Sequence, residues 1–308
     1  MDTALTYQDV LDARARIDGA IRPVTVIEGD GVVLAAEFMQ HTGTFKARGA
    51  ANFVAYHRSS NTMPDAGVVI ASGGNAGLAC AWAASAHDVP ATVFVPATVP
   101  AFKKARLQAF GADVRAVGAE YAEALAASVG FVAESGALAS HAYDHPLIAA
   151  GAGTLLLEIL EAGTVDTVVV SVGGGGLYAG IATAAAHHGV KVVAVEPRHC
   201  RAFSAALEAG TPVDVTVQSI AADSLGARRV TPLALAAAAA SNTVSVLVDD
   251  EAIIEARRHL WDSRRLVVEH AASTALAALR TGAYLPDPGE RVAVVLCGAN
   301  SDPSDLAR

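Results

Sequence analysis

The 308-residue chain is poor in cysteine, in aromatic residues and in charge. Its three cysteines, Cys80, Cys200 and Cys297, stand far apart in the sequence. They therefore predict neither a disulfide framework nor a zinc site, and they fit a reducing compartment such as the cytoplasm. The formal charge is −9 and no cluster of lysine and arginine occurs, which argues against a nucleic-acid partner.

Long apolar runs are missing as well. The alanine-rich segment 234–240 is too short to span a bilayer and is followed by three polar residues, so we expect no membrane partner. The first residues lack a basic region followed by an apolar core, so we expect no secretion signal. No linker, internal repeat or low-complexity tail stands out.

Apolar residues make up 53% of the chain, enough to bury a substantial core. Short apolar runs bounded by glycine or proline alternate with longer helical patterns, which is typical of buried parallel strands joined by crossover helices. The sequence therefore predicts an α/β fold with an open parallel sheet. The strands are expected at 67–70, 91–95, 167–170, 192–195 and 292–296, and helices at 6–17, 76–86, 102–110 and 177–187.

Lys46 lies in the segment HTGTFKARGA, residues 41–50, where a Thr-Gly-Thr turn leads into a helix. At a helix start the positive end of the macrodipole disfavours a second positive charge, which helps to keep an amine neutral and nucleophilic. The segment alone is equally compatible with a solvated surface lysine.

Two further loops follow predicted strands. In SGGNAG, residues 72–77, glycines allow close approach to a ligand, Ser72 and Asn75 are polar, and the next helix directs free N–H groups outward. The alternative is that Ser72 or Asn75 caps that helix. Four consecutive glycines, Gly173, Gly174, Gly175 and Gly176, suit a loop that wraps its N–H groups around a phosphate. A structural turn and a nucleotide-binding loop are the alternatives, although no Gly-Lys-Ser/Thr follows.

The last predicted strand ends in LCGAN, residues 296–300. Cys297 there is either a neutral partner for a ligand or an ordinary buried cysteine. Two carboxylates, Glu196 and Glu269, stand at sheet edges, where either could be a hydrogen-bonded structural acid. Ligands of open α/β sheets bind at the carboxyl ends of the strands, where these motifs converge. A nucleophilic lysine, a phosphate loop, a Ser/Asn loop and a neutral partner for a ring nitrogen together suit pyridoxal phosphate.

Over nearly its whole length the sequence resembles the fold-type II pyridoxal-phosphate enzymes, specifically the serine/threonine dehydratases. That resemblance implies a fold like the tryptophan synthase β chain, with two open twisted sheets and flanking helices. It also implies a large cofactor domain of residues 1–45 and 146–308 and a small domain of residues 46–145. A homodimer is a further implication, and the absence of a domain after the last strand predicts no feedback inhibition by end-product amino acids.

The resemblance also assigns roles to residues. TGTFKARGA resembles the Schiff-base motif, which makes Lys46 the lysine that carries the cofactor and the general base. Asn75 is expected to contact the phenolic oxygen of the cofactor, and Cys297 its pyridine nitrogen. The cofactor set implied is Lys46, Phe45, Asn75, Gly173, Gly174, Gly175, Gly176, Leu177 and Cys297. The substrate set implied is Ser72, Gly73, Asn75 and Thr42.

Glu196, with main-chain carbonyls of segment 221–226, resembles the family's monovalent-cation site, which predicts K⁺ as an additional ligand. Two departures stand out. Many relatives carry a serine where this chain has Gly73, and racemases use it as an acid/base, so racemisation is not expected. His270 follows Glu269 where relatives usually have proline, a change without a functional account at this stage.

The activity implied is elimination of water from L-threonine, L-serine or both, which yields 2-oxobutyrate or pyruvate plus ammonia. β-Replacement, serine racemisation and a catalytically silent cofactor-binding protein are the alternatives. The choice between serine and threonine cannot be predicted, because one methyl group in an apolar pocket is worth only about 1–3 kcal/mol.

Overall fold

The structure is a computed structural model that describes residues 5–29 and 31–306. Within these residues, ten strands form two sheets. The strands are β1 (Val26–Gly29), β2 (Val32–Ala35), β3 (Val68–Ala71), β4 (Ala91–Val95), β5 (Asp113–Ala116), β6 (Leu138–Ala139), β7 (Thr167–Ser171), β8 (Lys191–Pro197), β9 (Thr243–Val248) and β10 (Val292–Val295).

Helices connect and cover the sheets. They are α1 (Tyr7–Ile17), α2 (Lys46–Ser59), α3 (Asn75–Ser85), α4 (Ala101–Ala109), α5 (Tyr121–Ser135), α6 (Pro146–Ala162), α7 (Gly176–His188), α8 (Ala202–Ala209), α9 (Ala222–Leu225), α10 (Pro232–Ala240), α11 (Asp250–Arg264) and α12 (His270–Arg280). In the part of the chain that the structure describes, no helix is both long and apolar enough to cross a bilayer.

The larger sheet has the order β1-β2-β10-β7-β8-β9 and is parallel except for the antiparallel pair β1–β2. The smaller sheet has the order β5-β4-β3-β6 and is parallel throughout. The central strands are valine-rich and buried except for Lys191 at the start of β8, as expected of parallel strands covered by helices on both faces. The predicted α/β class with two open sheets and flanking helices is confirmed.

Three helices near the middle of the molecule touch backbone to backbone. A Cβ on Gly49 of α2 would come within 2.6 Å of a carbonyl of α6, and one on Gly180 of α7 within 2.1 Å of another α6 carbonyl. Small residues at these crossings let α2, α6 and α7 approach closely. Because α2 begins with Lys46 and α7 begins in the glycine loop, this contact fixes the two segments relative to each other.

A buried ion cluster anchors α2 further. Arg48, two residues after Lys46, is fully buried and donates to Glu37 at 2.5 Å and to Glu158 at 2.6 Å. A third contact of its guanidinium, with the Thr154 hydroxyl, lies at 3.2 Å. A buried charge is tolerated only when it is paired in this way. These ion pairs and the contact at Gly49 therefore fix the first turn of α2, where Lys46 lies.

The strands β3 to β6 fall in residues 46–145, the predicted small domain, and the others fall outside it. Helix α2 packs on α1 and α6 as well as on α3, so the proposed domain boundary at residue 46 stays a prediction. All five predicted strands and the four predicted helices are found, with ends shifted by one or two residues. Strands β1, β2, β5, β6 and β9 were not anticipated.

Candidate active site

Lys46 is the first residue of α2, and its Nζ donates a hydrogen bond of 3.0 Å to the Ala142 carbonyl. Burial lowers the pKa of this amine to about 8, although Cys297 and Glu269 act in the opposite direction. The sequence predicted a more neutral amine from the helix macrodipole, whereas burial is the main cause in the structure. At neutral pH a useful fraction of the amine is free of its proton and nucleophilic.

Asn75 begins α3, but its side chain does not cap that helix. The amide nitrogen donates to both oxygens of Glu269, at 2.9 and 3.0 Å, and the amide oxygen accepts from Asn300 Nδ2 at 2.8 Å. For Asn75, the capping alternative is thus wrong. The amide is held with its nitrogen toward the carboxylate and its oxygen toward Asn300.

Glu269 lies at the centre of this network. Besides Asn75, its carboxylate accepts from the Ser224 hydroxyl at 2.8 Å and from the Asn300 N–H at 2.7 Å. The carboxylate also acts electrostatically on Lys46. From the sequence, Glu269 could be an ordinary structural acid. In the structure it is a hydrogen-bond acceptor that joins the loop after β3 to the loop after β10.

The glycine loop ends β7 and begins α7. In the chain that the structure describes, no group accepts a hydrogen bond from the N–H of any residue from 173 to 176. Gly175 has a φ of +97°, which glycine adopts without strain. Unengaged N–H groups at the start of a thirteen-residue helix are the donors with which proteins bind an anion.

Packing is a second reason why glycine occupies these positions. A Cβ on Gly174 would lie 2.3 Å from the ring of Tyr143, and one on Gly176 would lie 2.7 Å from the Tyr143 carbonyl. A Cβ on Gly173 would approach Leu225 to 3.0 Å. Loop 141–145 and helix α9 therefore press directly on the glycine loop. No motif in the sequence indicates this packing.

Cys297 follows β10 and is almost fully buried. Its carbonyl accepts from the Phe45 N–H at 3.0 Å, which ties the residue before Lys46 to the end of the strand. Burial, assisted by Glu269, raises the pKa of the thiol to about 12, whereas Lys46 lowers it. The group is therefore an uncharged thiol at neutral pH. Leu177, also predicted at the site, lies in the core behind the glycine loop.

The predicted substrate residues lie on two adjoining loops. Thr42 has a φ of 67°, an uncommon conformation for threonine, and its carbonyl accepts from Asn300 Nδ2 at 2.7 Å. Its hydroxyl is buried and has no partner among the described residues. Among the described residues, Ser72 Oγ accepts one long bond, of 3.4 Å, from the Gly74 N–H. A Cβ on Gly73 would lie 3.2 Å from Val99, so that position is crowded.

Glu196, also predicted at the site, lies apart from this cluster. The two oxygens of Glu196 accept the Phe203 and Ser204 N–H groups at 2.7 and 2.8 Å, and burial raises its pKa to about 8. His270 is the first residue of α12. Because proline is favoured at that helix position, the backbone there tolerates either residue, which accounts structurally for the exchange of proline for histidine.

The sequence missed several residues of the site. Asn300 stands in a recognised motif, and its polarity next to a buried strand was the available signal. His141 and Tyr143 had none, since a loop far from any motif brings them in, and Ser224 stood only in segment 221–226, whose main-chain carbonyls were expected at a cation site. Together the residues fit pyridoxal phosphate: an amine with a lowered pKa, unengaged N–H groups for a phosphate, and an oriented amide.

Residues 22–298 match the family described as pyridoxal-phosphate dependent enzyme. An L-threonine ammonia-lyase of Geobacter sulfurreducens is 34% identical over 309 residues, covering 97% of this chain and 76% of that protein. A serine dehydratase-like protein of Mus musculus is 33% identical over 288 residues, covering 89% and 87%. Threonine deaminase isoform 2 from Solanum lycopersicum, in its processed form, superposes with a TM-score of 0.90 at 26% identity, covering 98% and 86%.

Proposed function

The chain belongs to the family of pyridoxal-phosphate dependent enzymes, as its resemblance indicated, and we propose that it eliminates water from L-threonine, L-serine or both. The products are 2-oxobutyrate or pyruvate and ammonia. The observation that carries this proposal is the position of Lys46: a buried amine with a pKa of about 8, bonded to loop 141–145, which packs on a loop of four N–H groups without an acceptor among the described residues. The relatives named for threonine and serine agree with this reaction.

When bound, pyridoxal phosphate supplies the electron sink that makes loss of the Cα proton feasible. We assign its phosphate to the N–H groups of Gly173–Gly176, where the helix dipole also favours an anion. Lys46 is assigned as the covalent anchor and, once free, as the base that takes the Cα proton. The Ala142 carbonyl accepts an N–H of this amine and so restricts where its lone pair points.

Asn75 and Cys297 are assigned to the two ends of the cofactor ring. Glu269 and Asn300 hold the Asn75 amide in one orientation, with one N–H shared between the two Glu269 oxygens and the other assigned to the phenolic oxygen. Cys297 stays a neutral thiol and cannot protonate a ring nitrogen as a carboxylic acid would. With a neutral thiol at that end, the electron withdrawal supplied by the bound cofactor would be moderate, which would favour prompt loss of the β-hydroxyl.

Racemisation is the nearest alternative. It needs a second acid/base group on the opposite face of the substrate, and Gly73 supplies none. A Cβ at that position would lie 3.2 Å from Val99, so a side chain there would need Val99 to shift. β-Replacement needs a site for a second substrate, which none of the assigned residues provides.

The test is to load the purified protein with pyridoxal phosphate and measure 2-oxo acid release from L-serine, L-threonine and D-serine. We expect release from at least one L-amino acid and none from D-serine. The remaining serine is analysed for chirality in the same sample. Appearance of D-serine without 2-oxo acid would replace elimination by racemisation, and unchanged substrate would leave a silent binding protein.

A K⁺ site at Glu196 is a further proposal. Each carboxylate oxygen accepts one N–H and keeps a lone pair that a cation could use. Burial raises the pKa of Glu196 to about 8, so a bound cation would be needed to keep it charged at neutral pH. We expect K⁺ to raise the melting temperature of wild type more than that of Glu196→Gln; equal gains would contradict the assignment.

We also propose that the protein works as a homodimer in the catabolism of amino acids in the cytoplasm. The reducing compartment is supported by three cysteines that are all unpaired and buried. Sedimentation velocity of the loaded protein measures the oligomeric state. A species of 31.2 kDa at micromolar concentration would contradict the dimer.

A further inference from the structure

His141 forms a turn directly before the carbonyl that holds Lys46. Its Nδ1 accepts the N–H of Tyr143 at 3.3 Å and the N–H of Asp144 at 2.8 Å. This is the geometry in which an asparagine side chain closes an Asx turn on the residues that follow it. Ala142 lies inside the turn, and its carbonyl accepts from Lys46 Nζ.

The same turn reaches the glycine loop. The Tyr143 ring packs where a side chain of Gly174 would lie, and it also contacts the His141 ring edge-on at 4.9 Å between centroids. One short loop therefore contacts both the amine that is assigned to the cofactor and the loop that is assigned to its phosphate. The turn that shapes this loop depends on a single ring nitrogen.

A neutral imidazole has one lone pair in the ring plane. In His141 that lone pair is at Nδ1 and is used by the two N–H groups, so Nε2 carries the proton. The ring cannot take a proton from Lys46 or from a substrate without losing the turn. This excludes His141 as a base in its observed conformation and leaves it a structural link to Lys46.

We propose that His141 is a positioning residue for Lys46: the unprotonated ring closes the turn that directs the Ala142 carbonyl to the amine, and protonation of the ring releases it. The inference rests on the proposed role of Lys46 as the cofactor lysine. The consequence is that the affinity for the cofactor falls in acid because His141 is protonated, in addition to any effect of protonating Lys46.

The surroundings of the ring determine the direction in which the pKa of His141 shifts. Burial and Lys46 lower the pKa of His141 from 6.5, whereas Asp144 raises it, and His145 is a further titratable neighbour in the same loop. A histidine whose pKa is lowered on folding contributes stability above its ordinary pKa and loses that contribution as pH falls. The turn is therefore complete at neutral pH and opens only as the pH falls below the ordinary range for histidine, because the pKa of the folded ring is lowered.

The test compares three forms of the full-length protein: wild type, His141→Asn and His141→Gln. Asparagine places an acceptor at the position of Nδ1 and does not titrate, whereas glutamine places its polar atoms at the position of Nε2. The measurement is the dissociation constant of pyridoxal phosphate, followed by absorbance, between about pH 8 and about pH 5. Circular dichroism checks the fold of each form.

At about pH 8 we expect wild type and His141→Asn to agree within about twofold, and His141→Gln to bind about three- to tenfold more weakly, because two hydrogen bonds are lost. On acidification we expect the cofactor affinity of wild type to fall about three- to tenfold further than that of His141→Asn. Equal acid sensitivity of wild type and His141→Asn would overturn the proposal, even if His141→Gln folds poorly.

Borohydride reduction of the loaded protein, followed by peptide mapping, separates this inference from the proposed function. If Lys46 is labelled in all three forms, its role as the cofactor lysine stands, and the pH comparison then tests the role of His141. Label on another lysine would overturn the assignment of Lys46 and the positioning role with it.

Discussion

The Asn75 amide donates to both carboxylate oxygens of Glu269, although the two residues are 194 positions apart in the chain. Asn75 follows β3 of the smaller sheet, and Glu269 precedes α12, which packs on the larger sheet. The pair therefore joins the two sheets at the candidate site. It also fixes the orientation of Asn75, the residue assigned to the phenolic oxygen.

Glu269→Gln should weaken cofactor binding by about tenfold, because the carboxylate accepts from three groups and an amide offers one oxygen. It should also lower the pKa of Lys46 below about 8, since Glu269 raises that value. Absorbance titration with pyridoxal phosphate across a pH series measures both. Ser224→Ala, which removes one donor only, is the control, and equal effects of the two would contradict the central role of Glu269.

Asn300→Asp should also weaken cofactor binding by about tenfold. The new oxygen would replace a nitrogen that donates to the Thr42 carbonyl and to the Asn75 amide oxygen, and would set acceptor against acceptor. Arg106→Gln removes the partner of Asn300 Oδ1 on the exposed side and should change affinity by less than about threefold. If Asn300→Asp binds the cofactor like wild type, Asn300 does not orient Asn75.

Gly174→Ala should destabilise the protein by about 1–3 kcal/mol, because the new Cβ overlaps the Tyr143 ring. Adding Tyr143→Ala removes the overlap, so the double variant should be less destabilised than the sum of the two single ones. Urea unfolding of the cofactor-free proteins gives the four free energies. Strict additivity would show that the ring can move aside at no cost.

The rate at which cofactor-free protein forms its bond to pyridoxal phosphate should rise with pH and level off above about 8. Only the unprotonated Lys46 is a nucleophile, and burial lowers its pKa from 10.5 to about 8. Stability should rise with pH between those two values, since the unfolded chain there binds more protons than the folded one. A loading rate that still rises at pH 10 would mean that the amine is not buried as described.

The strands that the sequence predicted are those buried on both faces. Val168, Val169 and Val170 in β7 form an apolar run because helices cover both sides of the larger sheet. The missed strands lie at or next to sheet edges: β5 is mostly exposed, β6 has two residues, β9 is half-buried, and β1 pairs with β2 as an edge hairpin. Edge strands lack the continuous apolar pattern on which the prediction relied.

The motifs of the site were recognisable because each follows a buried strand or opens a helix. What joins them was not, because it depends on contacts between distant segments. Nothing near Glu269 in sequence indicates Asn75 or Ser224, and nothing near Gly174 indicates Tyr143. The lowered pKa of Lys46 was expected from local structure, but its size follows from burial, which only the packed fold sets.

The central claim is that Lys46 carries out elimination on a serine or threonine substrate. The most direct measurement is 2-oxo acid release from L-serine and L-threonine by wild type and by Lys46→Ala, both saturated with pyridoxal phosphate. Lys104→Ala, which changes a lysine on α4 that is remote in sequence, is the matched control. We expect turnover by wild type and the control and none by Lys46→Ala; 2-oxo acid production by Lys46→Ala at the wild-type rate would contradict the account.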